Sequence, residues 1–182
     1  MRLRARVLLA LLPFVFAAAG PLAGQASPVT VFIVRHAEKG PEPGDPGLTP
    51  AGEARAGALV RVLEDAKVTA LFATEFRRTR ETVAPLGRKV GLETTIVPAR
   101  EVDRLVEQLV ALPAGSRAVV ASHSNLVHLI AGKLAGTGVP ELTEADYDRL
   151  YVVTVLERGR GSVVVLRYGD PSPAGAAGSM KP

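Results

Sequence analysis

The stretch VTVFIVRHAEK, Val29–Lys39, decides the fold. Val29, Val31 and Phe32–Val34 are apolar and mostly β-branched, the composition of a strand buried on both faces. The run stops abruptly at Arg35–His36, a cation beside an imidazole. A strand ending this way delivers both side chains to the C-terminal edge of its sheet, where open α/β sheets bind ligands. Two residues recur by chance, so the surrounding chain has to supply the meaning.

Downstream, Gly40–Gly47 (GPEPGDPG) is a loop, because three prolines and three glycines in eight residues forbid regular structure. Thr49 is a good N-cap and Pro50 a good first helical residue, and apolar spacing continues the helix to about Asp65. Thr69–Ala73 reads as a short buried strand ending in Thr74-Glu75, followed by a helix over about Phe76–Val90 that Pro85 should bend. Its opening turn carries Arg77, Arg78 and Arg80, which oppose the helix dipole; a bound anion would relieve the conflict. A strand at Thr94–Val97, a helix over Val102–Leu112 and a strand at Ala118–Ala121 follow. That last strand runs into Ser122-His123-Ser124-Asn125 and a helix over about Leu126–Leu134. Tyr151–Leu156 and Ser162–Arg167 read as a hairpin or a pair of edge strands. This alternation predicts a three-layer α/β/α domain around a mainly parallel sheet, spanning residues 27–169.

Residues 1–26 have the pattern of a secretory signal peptide: Arg2, Arg4 and Arg6, an apolar run over Val7–Ala19, then small residues up to Ala26. The apolar run is shorter than the ~20 residues that span a bilayer, so no stable membrane anchor is expected after cleavage. Absence of cysteine excludes a lipid-modified anchor, a disulfide and a thiol nucleophile. The expected location is the bacterial periplasm or the exterior. Setting aside the leader's three arginines leaves 19 basic against 18 acidic residues, so net charge indicates no nucleic-acid partner. Asp170–Pro182, rich in Pro, Gly, Ala and Ser, is expected to be a disordered tail.

Three strand-to-helix corners carry related chemistry: Arg35–His36, Arg78 and His123. In a doubly wound sheet these corners share one edge and can converge. Two guanidiniums and two imidazoles suit a tetrahedral anion, and a neutral imidazole can attack phosphorus. A metal site is disfavoured: there are three histidines, and His123 and His128 are five apart, off the i, i+4 spacing of one helical face. No cofactor is expected.

Taken together, VRHAEK, LTPAGEARA (Leu48–Ala56), ATEFRRTRETV (Ala73–Val83) and VVASHSN (Val119–Asn125) resemble the motifs of the histidine phosphatase superfamily, which includes phosphoglycerate mutases. Ala37 stands where the family usually has Gly. The resemblance implies a phosphoglycerate mutase-like fold and hydrolysis of phosphomonoesters or related compounds. It implies His36 as nucleophile, Arg35 and Arg78 as phosphoryl ligands and His123 as transition-state stabiliser, with Ser124 and Asn125 as further substrate contacts. The acid that protonates the leaving group is less clear. One branch has Asp directly after the second histidine, where this chain has Ser124; another has Glu after the second arginine motif, which favours Glu101. Asp103 and Glu38 stay open as the acid, and Glu38 is also a candidate substrate contact two residues from His36. Without an acid, the enzyme would need good leaving groups. The alternative is a non-catalytic phosphate-ligand or interaction domain on the same fold. Mutase activity is disfavoured by the short mature chain. Oligomeric state is not legible.

Overall fold

The computed structural model describes residues 27–172. The expected signal peptide lies outside the described residues, as does most of the expected tail. The tail's first residues are tied to the body: the Ser172 hydroxyl accepts from the amides of Tyr147 at 2.9 Å and Asp148 at 3.1 Å. The elements are β1 (Val29–Arg35), α1 (Pro50–Leu63), β2 (Ala70–Ala73), α2 (Arg77–Val90), β3 (Thr94–Ile96), α3 (Val102–Val110), β4 (Arg117–Ser122), α4 (Ser124–Ala135), β5 (Arg149–Glu157) and β6 (Arg160–Arg167).

The strands form one sheet in the order β3-β2-β4-β1-β5-β6. β1, β2, β3 and β4 pair in parallel, whereas β5 runs antiparallel to β1 and forms a hairpin with β6. The period-two alternation along β1 separates two cores. Val31 and Ile33 meet Leu105, Val106 and Leu109 of α3 and Val127, Ile130 and Leu134 of α4. Val34 faces the other way, toward Leu59 and Leu63 of α1 and Val83 and Leu86 of α2. Val31, Ile33 and Val34 are each fully buried, worth roughly 1.5–3 kcal/mol apiece. Among the described residues no helix is long and apolar enough to cross a membrane.

The sheet order positions the site. From β1 the chain steps over to β2 and outward to β3, and β4 then returns to fill the gap between β1 and β2. The ends of β1, β2 and β4 therefore lie side by side, with Arg35 paired to Ser122 and Ala73 to Ala121. This is the crevice at which open α/β sheets place their ligands.

Two local departures from expectation bear on that crevice. α4 begins at Ser124 rather than Leu126, which makes His123 its extended N-cap residue and puts Ser124 and Asn125 in its first turn. Two of the three arginines near the start of α2 are met by protein: Arg77 pairs with Glu81 at 2.6 Å and Arg78 approaches Asp45 at 3.7 Å. Both carboxylate oxygens of Asp45, from the Pro/Gly loop, accept from the Arg77 amide at 2.8 and 3.0 Å. Pro85 lies inside α2, which continues to Val90.

Candidate active site

Arg35, His36, Arg78, His123, Ser124 and Asn125 line one cleft of about 320 Å³, together with Lys39, Phe76 and Glu144. The expected constellation is therefore brought together. Its floor is dry: Arg35, His36 and His123 are 1%, 3% and 8% exposed. The two imidazoles stand edge to face with ring centres 5.5 Å apart.

His36 is held in a defined tautomer. Its Nδ1 lies 2.8 Å from the Ala37 carbonyl oxygen, which can only accept. Nδ1 therefore carries the proton and Nε2 keeps its lone pair. Burial lowers the pKa of His36 to about 3; the Ala37 bond, next in size, opposes it, and the charges of Arg35, His123 and Arg78 add to the lowering. The ring is neutral at neutral pH. Ala37 is itself anchored, since its amide donates to Thr82 Oγ1 at 2.9 Å, and Thr82 donates to the Arg78 carbonyl at 2.7 Å. One buried threonine thus ties the end of β1 to α2.

His123 is also neutral, its pKa lowered to about 4 by burial and by Arg78. Its Nε2 shares a hydrogen with Thr74 Oγ1 at 2.9 Å, and Thr74 Oγ1 lies 2.9 Å from the Thr79 hydroxyl. Phe76 packs edge-on against the His123 ring, and the Arg78 guanidinium stacks over Phe76 with its central carbon 4.4 Å from the ring centre.

The arginines are positioned by contacts that leave donors over. Arg35 donates through Nη1 to the carbonyls of Thr143 at 3.1 Å and Glu144 at 2.8 Å, and through Nη2 to the Glu144 carboxylate at 2.9 Å. Tyr147 lies beneath it, 4.0 Å from the guanidinium carbon to the ring centre. Arg78 approaches Asp45 at 3.7 Å. The Nε atoms of both arginines are buried and have no protein partner. Buried N–H groups of this kind are costly unless something accepts from them.

Two expected residues lie elsewhere. Glu38 turns away from the cleft and grips Arg55 of α1 through three contacts of 2.7–3.0 Å. Gly52 of α1 permits this, since a Cβ there would strike the Glu38 carbonyl oxygen. Glu101 precedes α3 and pairs with Arg104 at 2.8 Å, outside the lining of the cleft. Asp103 faces Lys133 and Arg158. The carboxylate at the cleft is Glu144, which sequence reasoning passed over. It sits in an aperiodic segment, and its partners Arg35 and Ser124 are 109 and 20 residues away. The acidic, threonine-containing run TEADYD before β5 was the one available signal.

The model of the histidine phosphatase superfamily (branch 1) matches residues 31–103. That stretch contains Arg35, His36 and Arg78 and ends before His123. No curated protein matches in sequence. Among solved structures, the protein histidine phosphatase SixA complexed with tungstate aligns with a TM-score of 0.65 and 23% identity, over 76% of this chain and 96% of SixA. The mycobacterial glucosyl-3-phosphoglycerate phosphatase with inorganic phosphate aligns with a TM-score of 0.60 and 16% identity, over 76% of this chain and 96% of that one. The fold is that of the histidine phosphatases.

Proposed function

We propose that this chain is a phosphatase that moves a phosphoryl group from a small phosphorylated compound to Nε2 of His36 and then to water. The observation that carries this reading is the His36 imidazole: neutral, with its proton fixed on Nδ1, and among two arginines that each keep a buried N–H unpartnered. Nε2 attacks phosphorus, and the bond to the leaving group breaks with its electron pair on the leaving atom. Arg35, Arg78 and His123 stabilise the charge on the phosphoryl oxygens. Water then attacks the phosphohistidine, the P–N bond breaks, and inorganic phosphate leaves. Lys39, Arg35 and Arg78 at the cleft oppose a divalent cation, so the reaction is metal-independent. The phosphatase names of the structural neighbours, and the oxyanions bound in two of them, agree with this reading.

Neither Glu38 nor Glu101 faces the cleft to protonate a departing alkoxide. The substrates that suit this site have good leaving groups, such as phosphohistidine, acyl phosphates or anhydrides. The same observation favours one alternative, a phosphate-ligand binder without turnover. Hydrolysis of p-nitrophenyl phosphate in EDTA, by wild type and His36→Ala, tests the reading. EDTA-resistant turnover lost in the variant is expected; equal turnover in the variant refutes it. A folded wild-type protein that forms no acid-labile phosphohistidine with p-nitrophenyl phosphate is the binder.

Export is part of the proposal, supported by the basic, apolar and small-residue order of the first 26 residues. Protein recovered from the periplasm should begin near Ser27.

A further inference from the structure

We propose that Glu144 is the proton acceptor for the water that hydrolyses the phosphohistidine, an assignment that rests on the phosphatase reading above. The inference begins with direction. In phosphoryl transfer the attacking and leaving atoms lie roughly in line through phosphorus. His36 is on the buried floor of the cleft, so the leaving group, and later the water, occupies the side toward solvent. The Glu144 side chain is 81% exposed and borders the same cleft.

Its position is fixed from two directions. Oε1 accepts from the Ser124 hydroxyl at 2.6 Å, and Oε2 accepts from Arg35 Nη2 at 2.9 Å. Ser124 is in the first turn of α4 and Arg35 ends β1, so the carboxylate is tied to two rigid elements that also carry the phosphoryl ligands.

Elimination leads to the same residue. The cleft's other polar side chains are the cations Arg35, Lys39 and Arg78, the weak bases Ser124 and Asn125, and the two imidazoles. His36 carries the phosphoryl group in this step. His123 is buried beside the phosphoryl oxygens with Nε2 engaged by Thr74. Glu144 is the carboxylate that remains. The Ser124 bond, followed by the Arg35 charge, lowers its pKa, so it rests ionised. An ionised carboxylate accepts a proton but has none to give. The two half-reactions therefore differ: departure of the leaving group receives no proton from Glu144, whereas hydrolysis is base-assisted. In that step the water oxygen bonds to phosphorus, the P–Nε2 electron pair returns to His36, and the water proton passes to Glu144 and on to solvent.

The test measures the two steps separately. Mixing the protein with p-nitrophenyl phosphate gives a p-nitrophenolate burst that reports phosphorylation. Alkaline quenching after a chase gives the decay of the phosphohistidine. Glu144→Gln can still accept from Ser124 or Arg35 but is not a base. It is expected to keep a burst within a few-fold of wild type and to slow phosphohistidine decay by about 10²-fold or more. Formate should restore decay in Glu144→Ala at neutral pH. Unchanged decay in Glu144→Gln, or burst and decay slowed equally, overturns the proposal, the second result meaning that Glu144 only orients Arg35. A His36→Ala protein that still forms phosphohistidine would instead remove the phosphatase reading beneath it.

Discussion

Acidification should destabilise this protein well before its carboxylates titrate, because two imidazoles are buried uncharged. The pKa of His36 falls from 6.5 to about 3 on folding and that of His123 to about 4. Below pH 6.5 the unfolded chain binds protons at both sites and the native state does not, so stability falls as pH falls. Above 6.5 neither state is protonated and the contribution is complete. For two independent sites with unfolded pKa near 6.5, the loss between pH 7 and pH 5 is about 4 kcal/mol, about 2 for each histidine. That is a large part of the roughly 5–15 kcal/mol that holds a domain together. The interval is diagnostic because Asp103 and Glu144, whose pKa values are lowered, contribute only at lower pH. Urea unfolding at pH 7, 6 and 5 measures the loss, and His36→Asn/His123→Asn removes its source. We expect the double variant to vary by less than about 1 kcal/mol over the same range. A double variant as pH-sensitive as wild type would show that folding does not lower the pKa of the two imidazoles, and would remove the burial argument for a neutral His36.

Thr82→Val keeps the shape of the buried side chain but leaves the Ala37 amide, also buried, without its acceptor. A loss of about 1–3 kcal/mol in urea unfolding is expected, with a fall in kcat that Thr82→Ser restores. Glu38→Gln weakens the ion pair that neutralises Arg55, whose side chain is 4% exposed while that of Glu38 is 23% exposed. The expected cost is about 2–3 kcal/mol, below the full range for a buried pair, with KM for p-nitrophenyl phosphate unchanged. A raised KM at wild-type stability would return Glu38 to the substrate site.

The sheet and the cationic corners were legible because their signals are local. β1 and β4 announce themselves as β-branched or small apolar runs that end in histidine, and α1 through Thr49 and Pro50. The acidic residues were not legible in the same way. Glu38 is two residues from His36, and strand alternation would put both on one side, but β1 ends at Arg35 and the chain beyond it turns the Glu38 carboxylate to Arg55 of α1. Glu101 follows a strand end as expected, yet the first turn of α3 supplies Arg104 as a nearer partner. Glu144 has no periodic pattern around it. What puts it at the cleft is the demand of Arg35, a guanidinium almost wholly out of water, for carbonyl and carboxylate acceptors. Demand of that kind acts across 109 residues of sequence and leaves no mark on spacing.

The electrostatics of the cleft suit the anion that the proposed function requires. Arg35 and Arg78 lower the pKa of His36, and burial does so more strongly; both effects make the ring a free base at neutral pH. The two arginines repel one another, and their counter-charges come from the protein surface: Asp45, from a Pro/Gly loop, and Glu144, exposed at the rim of the cleft. Neither carboxylate satisfies the buried Nε donors. In the proposed mechanism a phosphoryl dianion would accept from them, since it offers more oxygens than a carboxylate. Binding would add several charge-assisted bonds in a buried site, while Ser124 and Arg35 keep the Glu144 carboxylate on the solvent side. In the proposed mechanism the features that keep His36 unprotonated would also hold the phosphoryl group against it, so that a single arrangement of charges would serve both the nucleophile and the group it attacks.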